Sequence, residues 1–281
     1  MITFESNDYL REDKLPHLWC SGCSHGTVVR TISKALAKLQ IDPASTVIVT
    51  GIGCFGKADD YFATHALHGT HGRALAFATG IKAVRPELTV LVLMGDGDGS
   101  TIGGNHLIHA ARRNIDLTAI VSNNLNYGMT GGQYSATTPA GSITTTSAYG
   151  APEPGFDLCD LVKGAGGTFV ARCTPYHGLF YEGEMSFCSM LEDILVDAIK
   201  HKGFSFVESL SCCPTYYGRY NRKGDAVQMI DNLKEKTLIK EEYEKLPAEK
   251  KGNYIPIGKL FISPRPDFNT QYKEVQQKAA K

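Results

Sequence analysis

The sequence lacks an excess of charge of either sign. Its 29 lysine and arginine residues balance 29 aspartate and glutamate residues, which gives a formal net charge of zero. Without a basic field, the chain has no general means of attracting nucleic acid or an anionic lipid surface. We therefore expect no nucleic-acid partner, and a small group of residues must hold any anion that the protein binds.

Long hydrophobic runs are also missing. No apolar segment approaches the roughly 18 residues that a membrane-spanning helix needs, and the first residues lack the basic-then-apolar order of a signal peptide. We expect a cytoplasmic protein with no membrane partner. Internal repeats and low-complexity tracts are absent as well, while a hydrophobic content of 42% over 281 residues is enough for a substantial core.

Alternating strand and helix patterns indicate the fold class. Helical patterns separate buried-strand patterns at residues 45–50, 88–94, 117–122, 168–171 and 204–210, and the longest of these helical patterns spans 185–201. Such alternation predicts an α/β fold with a doubly wound, mostly parallel sheet. We assign residues 1–221 to this domain. The charged segment 222–281 is expected to add a surface helix and an extended arm.

Unusual motifs follow the predicted strands. GIGCFGK begins at Gly51, GDGDG at Gly95, the asparagine pair at Asn123 and SCCPT at Ser211. Ligands of parallel α/β sheets bind outside the carboxyl ends of the strands, where all four motifs fall. The functional site is therefore expected along this edge of the sheet.

The GDG motif predicts a magnesium site. Asp96 lies between Gly95 and Gly97, whose main chain can approach a phosphate group closely. Magnesium prefers hard oxygen ligands and often binds a carboxylate together with phosphate oxygens. Asn124 would supply a second oxygen and Asn126 a main-chain carbonyl. GDG alone is also typical of an ordinary turn, and Asp98 could cap a helix or fold the loop.

Five of the eight cysteines, including Cys212, lie in glycine, proline or serine contexts that favour a chemical role. Cys20 and Cys23 form a C-x-x-C pair, Cys54 lies in a glycine turn, and Cys213 precedes a proline. Four thiolates are what a [4Fe-4S] cluster or a structural zinc requires, and spacing does not separate the two. The C-x-x-C pair alone could be a redox dithiol, and Cys212 competes with Cys213 as the fourth ligand. Cys159, Cys173 and Cys188 are expected in the core.

Residues beside these motifs are expected to line the same site. The main chain of the segment after the asparagine pair should follow the diphosphate of a cofactor, and His71 is the histidine best placed for a polar contact with substrate. The expected cofactor-contacting residues, beyond those named for the metal, are Gly53, Cys54, His71, Asp98, Tyr127, Gly128, Met129 and Thr130.

Six motifs in order resemble one enzyme family. They are WCSGCSHG, GIGCFGK, THGRALAFATGIK, GDGDGSTIGGNHLIHAARRN, NNLNYGMTGGQYSATTP and SCCPT, which together extend from Trp19 to Thr215. The chain resembles the β subunit of the 2-oxoacid:ferredoxin oxidoreductases, particularly the two-subunit 2-oxoglutarate or broad 2-oxoacid branch. The chain departs from the family pattern in two places. Cys212 and Cys213 form a doublet, and Phe55 occupies a turn position where relatives often have a small residue.

The resemblance implies cofactors and roles for residues. It implies a thiamine-diphosphate-binding (PP-type) fold, thiamine diphosphate with Mg²⁺ held by Asp96 and Asn124, and one [4Fe-4S] cluster. The cluster ligands would be Cys20, Cys23, Cys54 and Cys213. Lys57 would face the substrate, although a solvated loop lysine is an equally good interpretation.

The resemblance also implies an activity and partners. The complex would decarboxylate a 2-oxo acid oxidatively, most simply 2-oxoglutarate, form an acyl-coenzyme A and pass electrons through the cluster to ferredoxin. An α subunit would supply the glutamate that activates the cofactor and most coenzyme A and substrate contacts, in a heterodimer or a dimer of heterodimers. We therefore expect the isolated chain to be inactive, with segment 222–281 packing on the α subunit.

Other functions remain open at this point. The substrate could be pyruvate or a branched-chain 2-oxo acid, because recognition of a distal carboxylate is expected to depend on the partner. A non-oxidative thiamine-diphosphate decarboxylase or synthase with a structural metal would share the GDG and asparagine motifs but needs no cluster. A non-catalytic iron-sulfur electron carrier would need the cluster but no thiamine diphosphate.

Overall fold

The computed structural model describes residues 3–177, 179–181, 184–186 and 189–281. Its strands are β1 Thr46–Thr50, β2 His65–His68, β3 Thr89–Gly95, β4 Thr118–Asn123, β5 Phe169–Cys173, β6 Leu179–Tyr181, β7 Glu184–Ser186, β8 Ser205–Leu210, β9 Thr237–Ile239 and β10 Ile255–Ile262. Its α-helices are α1 His25–Lys38, α2 Ala74–Val84, α3 Gly104–Arg113, α4 Leu158–Gly164, α5 Ser189–Lys200, α6 Ala226–Lys236, α7 Lys240–Glu244, α8 Ala248–Lys251 and α9 Phe268–Ala279. The expectation for Cys188 lies outside the described residues.

Eight strands form one sheet in the order β2-β1-β3-β4-β8-β5-β10-β9. Neighbouring strands are parallel throughout this order except β5 and β10, which are antiparallel. Strands β6 and β7 form a separate antiparallel pair. The predicted doubly wound, mostly parallel α/β fold is confirmed.

Helices cover both faces of the sheet, which explains why its strands are apolar on both sides. On β3, Leu91 and Leu93 face a core that α1 and α5 complete, whereas Val90, Val92 and Met94 face a second core that α2, α3 and α4 complete. Alternate side chains of a strand point to opposite faces, so a strand covered on both faces appears as a continuous apolar run. None of the helices in the described ranges is long and apolar enough to cross a membrane.

The structure corrects three local expectations. Strand β2 was missed because its HALH sequence lies at the sheet edge and is largely exposed, so it has no apolar pattern. The helix expected from residue 185 begins at Ser189, since Glu184–Ser186 pairs with β6. Residues 255–262, expected in an extended arm, form β10 and extend the main sheet by pairing with Phe169–Arg172 of β5. This pairing covers an edge of β5 that would otherwise be open.

Candidate functional site

The order of the strands brings the four motifs together. Strands β1, β3, β4 and β8 are consecutive in the sheet, and each ends at one of the motifs. One cavity at this edge is lined by every residue expected to contact the cofactor: Gly53, Cys54, His71, Gly95, Asp96, Gly97, Asp98, Asn124, Asn126, Tyr127, Gly128, Met129 and Thr130. His25, Ile52 and Phe55 also line it. We call it the cofactor cavity.

Three oxygen-bearing groups meet at the floor of the cofactor cavity. One amide atom of Asn124 lies 3.1 Å from Oδ1 of Asp96 and 2.8 Å from the main-chain oxygen of Asn126, and all three residues are buried. If this atom is nitrogen, it donates to both oxygens; if it is oxygen, three oxygens converge. Magnesium bonds at right angles place neighbouring ligand oxygens about 3.0 Å apart. The group therefore fits the magnesium ligands that the sequence predicted.

The second oxygen of Asp96 is held by two hydroxyl groups. Ser135 and Thr137 donate to Oδ2 over 2.5 and 2.7 Å. Burial raises the pKa of Asp96 to about 6, although both hydroxyl groups act against this rise. The sequence analysis did not identify Ser135 and Thr137 as site residues. The available signal was the hydroxyl-rich SATTP sequence that ends the motif beginning at Asn123.

Asp98 connects three loops around the cofactor cavity. Its Oδ1 accepts hydrogen bonds from the main-chain nitrogens of Gly72 and Ile52, at 2.7 and 3.3 Å, and lies 2.5 Å from Nδ1 of His71. Burial raises the pKa of this carboxyl, while these contacts act to lower it. Asp98 therefore folds the loops and orients His71, whose ring lies edge-on to Tyr127 at 5.8 Å.

Gly97 is required by the position of Tyr127. The hydroxyl group of Tyr127 donates to the main-chain oxygen of Gly97 over 3.2 Å. A Cβ atom on Gly97 would lie 2.3 Å from the Tyr127 ring, which is too close for any side chain. The second glycine of GDG thus leaves the space that the Tyr127 ring occupies.

A second cavity contains the four cysteines that the sequence singled out. Cys20, Cys23, Cys54 and Cys213 line it together with Trp19 and Met129, among others. Trp19 fixes the Cys54 turn, since its indole Nε1 donates to the Cys54 main-chain oxygen over 2.6 Å. We call this second cavity the thiol pocket. It shares Cys54, Asn124, Gly128 and Met129 with the cofactor cavity.

The thiol pocket differs from a one-metal site. Within the described ranges, no group of three or more His, Cys, Asp or Glu side chains converges closely enough to hold a single metal ion. A zinc site needs four ligands at one point, whereas each iron of a [4Fe-4S] cluster takes its own thiolate. Burial raises the pKa of Cys23 to about 12 and that of Cys54 to about 11, and neighbouring cysteines add to both. Bound metal would therefore be needed to keep these thiols ionised.

Cys213, not Cys212, faces the thiol pocket. Cys213 is among the residues that line it, whereas the main-chain nitrogen of Cys212 donates to Ser24 Oγ over 2.8 Å and its thiol also contacts Ser24. Adjacent side chains of an extended segment point in opposite directions, which explains the separation. The geometry thus favours Cys213 as the fourth thiol of the set.

Lys57 lies apart from the two cavities. Its amine pairs with Asp60 at 2.7 Å on the short helical turn Phe55–Tyr61, and Lys57 lines neither cavity. The Asp60 carboxylate raises the pKa of this amine. Of the two residues expected to act on substrate, the structure places His71 in the cofactor cavity and Lys57 outside it.

Known proteins are similar to this chain over most of its length. Residues 49–209 match the family described as thiamine pyrophosphate enzyme, C-terminal TPP binding domain. The 2-oxoglutarate synthase subunit KorB of Methanothermobacter marburgensis is 44% identical over 97% of this chain and 93% of its own length. Subunit β of 2-oxoacid:ferredoxin oxidoreductase 1 from Aeropyrum pernix is 35% identical over 89% of this chain and 79% of its own length. The chain belongs to the β-subunit family of the 2-oxoacid:ferredoxin oxidoreductases.

A solved structure supports the same family assignment. The 2-oxoglutarate:ferredoxin oxidoreductase from Magnetococcus marinus, determined with 2-oxoglutarate, coenzyme A and succinyl-CoA bound, superposes with a TM-score of 0.85. The superposition covers 100% of this chain and 92% of that chain at 29% identity. The family predicted from six motifs and the thiamine-diphosphate-binding fold are both confirmed. The chain is thus an oxidoreductase subunit of this β-subunit family.

Proposed function

We propose that the chain is the β subunit of an enzyme that decarboxylates 2-oxoglutarate oxidatively, forms an acyl-coenzyme A and passes electrons to ferredoxin. The proposal rests chiefly on one observation: the cofactor cavity and the thiol pocket share Cys54, Asn124, Gly128 and Met129. An oxidation site and an electron acceptor in contact through one shared wall suit electron transfer between them. The names of the KorB relatives and of the Magnetococcus marinus enzyme support 2-oxoglutarate as the substrate.

Thiamine diphosphate and Mg²⁺ fit the cofactor cavity. When bound, thiamine diphosphate supplies the carbon nucleophile and the electron sink for decarboxylation. Asp96, Asn124 and the main-chain oxygen of Asn126 would hold Mg²⁺, which in turn binds the diphosphate. A Cβ atom on Gly95 would meet no other atom within 4 Å, so this position leaves room for the diphosphate, and Tyr127 to Thr130 line the cavity beyond it.

A [4Fe-4S] cluster fits the thiol pocket. Cys20, Cys23, Cys54 and Cys213 would each bind one iron. The apolar side chains of Leu18, Trp19 and Met129 would shield the cluster from water on several sides. Cysteines that bind a cluster must not form disulfides, and thiols stay reduced in the cytoplasm. We therefore propose that the enzyme is cytoplasmic.

Part of the catalytic machinery is expected from an α subunit. No glutamate of the described chain lines the cofactor cavity, so we propose that the partner supplies the carboxylate that activates the cofactor. The partner would also bind most of coenzyme A. Segment 222–281 is our candidate for packing on it, since Tyr272 and Val275 of α9 are exposed apolar side chains. The complex would be a heterodimer or a dimer of heterodimers.

Co-expression with the α subunit tests the proposal. The complex, purified without oxygen, is assayed with 2-oxoglutarate, pyruvate and a branched-chain 2-oxo acid in the presence of coenzyme A and ferredoxin. We expect the fastest ferredoxin reduction with 2-oxoglutarate and none from the isolated chain. Turnover by the isolated chain would contradict the need for a partner, and a preference for pyruvate or a branched-chain acid would change the substrate.

The cofactor content of the purified complex distinguishes two other functions from the proposed one. Complex that lacks iron and sulfide but decarboxylates a 2-oxo acid would be a non-oxidative thiamine-diphosphate enzyme. Complex that holds iron and sulfide but fails to bind thiamine diphosphate with Mg²⁺ would be an electron carrier. Neither function explains why both cavities share one wall.

A further inference from the structure

Three buried hydroxyl groups bind the two segments that carry the expected magnesium ligands, two of them at Asp96 and the third at Leu125. Ser135, Thr137 and Thr138 belong to one turn after the site, and all three side chains are almost wholly buried, with exposures of 0%, 4% and 0%. We call these three residues the hydroxyl clamp. Burying hydroxyl groups is unfavourable unless they form hydrogen bonds, so their partners indicate what the turn is built around.

Two members of the clamp bind the same carboxylate oxygen. Ser135 and Thr137 both donate to Oδ2 of Asp96, at 2.5 and 2.7 Å. Oδ1 of Asp96 remains directed at the side chain of Asn124, 3.1 Å away. The two oxygens of one carboxylate thus have different partners. Only Oδ1 faces the expected metal position, next to the ligands from the neighbouring strand end.

The third member fixes the neighbouring strand end. Thr138 donates from Oγ1 to the main-chain oxygen of Leu125 over 2.7 Å. Leu125 stands in the sequence between Asn124 and Asn126, the two asparagines expected to bind Mg²⁺. The main-chain nitrogen of Thr138 donates to the main-chain oxygen of Ser135 over 3.0 Å, which closes the turn. One turn therefore holds both segments that carry the metal ligands in a fixed relation.

We propose that the hydroxyl clamp makes Asp96 a one-oxygen ligand and so sets the preference of the site for Mg²⁺ over Ca²⁺; this inference rests on the proposed magnesium and thiamine-diphosphate function. Calcium takes six to eight oxygens at longer distances and often binds both oxygens of a carboxylate, whereas magnesium needs a compact octahedron. With Oδ2 occupied by two donors, Asp96 cannot turn both oxygens to the ion. Ser135, Thr137 and Thr138 act as positioning residues, since they reach the metal through Asp96 and Leu125.

The test compares how two metals support cofactor binding in the complex with the α subunit. Thiamine-diphosphate binding is followed by calorimetry while Mg²⁺ or Ca²⁺ is titrated, and the ratio of the two half-saturating concentrations is measured. The double variant Ser135→Ala with Thr137→Val removes both donors to Asp96. We expect it to need roughly 10- to 100-fold more Mg²⁺, with a smaller change for Ca²⁺, so that the preference for Mg²⁺ falls.

Two further variants separate positioning from general damage. Thr137→Ser keeps the hydroxyl group and should keep the metal preference of the natural protein. Ser33→Ala removes an equally buried hydroxyl group in α1, which donates to the main-chain oxygen of Arg30, and should leave the metal titrations unchanged. If the double variant does not fold, the single variant Thr137→Val is measured in its place.

The outcomes distinguish this inference from the proposed function. A folded double variant with an unchanged ratio of Mg²⁺ to Ca²⁺ requirements would overturn the role of the clamp. Loss of binding with both metals to the same extent would also overturn it, because the clamp would then act on the fold alone. If the natural complex binds thiamine diphosphate without any divalent metal, the proposed function itself fails.

Discussion

Cys54 and Gly128 meet where the cofactor cavity joins the thiol pocket. A Cβ atom placed on Gly128 would lie 3.3 Å from Sγ of Cys54 and 3.8 Å from Sγ of Cys213. Gly128 lines both cavities, and a side chain at this position would lie against both thiols. Because both thiols are expected to bind iron, a side chain here would press on the cluster from the cofactor side.

Gly128→Ala should disturb the cluster more than the fold. The added methyl group is in tighter than ordinary contact with Cys54, so we expect less bound iron or an altered electron paramagnetic resonance spectrum of the reduced cluster. The matched control is Gly164→Ala at the end of α4, where an added Cβ atom meets no other atom within 4 Å. An unchanged cluster spectrum and iron content in Gly128→Ala would contradict the position that we give the cluster.

The two adjacent cysteines should behave differently when they are replaced. Cys213→Ser removes a thiol that lines the thiol pocket, so the anaerobically purified complex should lose most of its iron and acid-labile sulfide. Cys212→Ser changes a thiol beside Ser24 and should retain both. Chemical analysis of iron and sulfide checks the pair. The reverse pattern would identify Cys212 as the fourth ligand.

Magnesium binding should weaken in acid. Burial raises the pKa of Asp96 to about 6, so below this pH a proton competes with the metal for its carboxylate. We expect the Mg²⁺ concentration needed for thiamine-diphosphate binding to rise about tenfold per pH unit below that point and to level off above it. Calorimetric titration of the complex from pH 5 to 8 measures this. In metal-free protein, the stability of the fold depends on pH in the opposite direction. Protonated Asp96 stabilises the fold fully below its ordinary pKa of 3.8, and this contribution is lost as pH rises through about 6.

A flat magnesium requirement across that pH range would show that protons do not compete with the metal for the Asp96 carboxylate above pH 5. Asp96→Ala provides the control, because it removes the carboxylate and should abolish the binding of both Mg²⁺ and thiamine diphosphate. Retained binding of thiamine diphosphate by Asp96→Ala in the complex would contradict the magnesium site.

Lys57→Met tests whether this lysine contacts substrate. If Lys57 faces substrate in the complex, the KM for 2-oxoglutarate should rise about tenfold or more, because a charged contact is lost. Thiamine-diphosphate and Mg²⁺ binding should stay unchanged, since Lys57 does not line the cofactor cavity. Asp60→Asn is the control for the ion pair between the two residues. Equal kinetic effects of Lys57→Met and Asp60→Asn would reduce Lys57 to a structural role.

The fold class, the family and most of the candidate site could be predicted from the sequence. Buried strands such as β3 leave a plain apolar signal because both faces are covered, and the motifs at their ends are rich in glycine, which the close packing of Gly97 against Tyr127 requires. The local pattern did not reveal β2 or β10, since one is exposed at the sheet edge and the other is defined by its pairing with β5.

The contacts among these residues could not be predicted from the sequence, because they follow from the tertiary fold. Whether Cys212 or Cys213 faces the thiol pocket depends on the direction of the chain after β8. Lys57 lies on the turn Phe55–Tyr61, outside the cofactor cavity, where it pairs with Asp60. Ser135 and Thr137 become site residues because a distant turn folds back over Asp96, 39 and 41 positions earlier in the chain. Contacts of this kind are set by packing between segments, which a local sequence pattern does not encode.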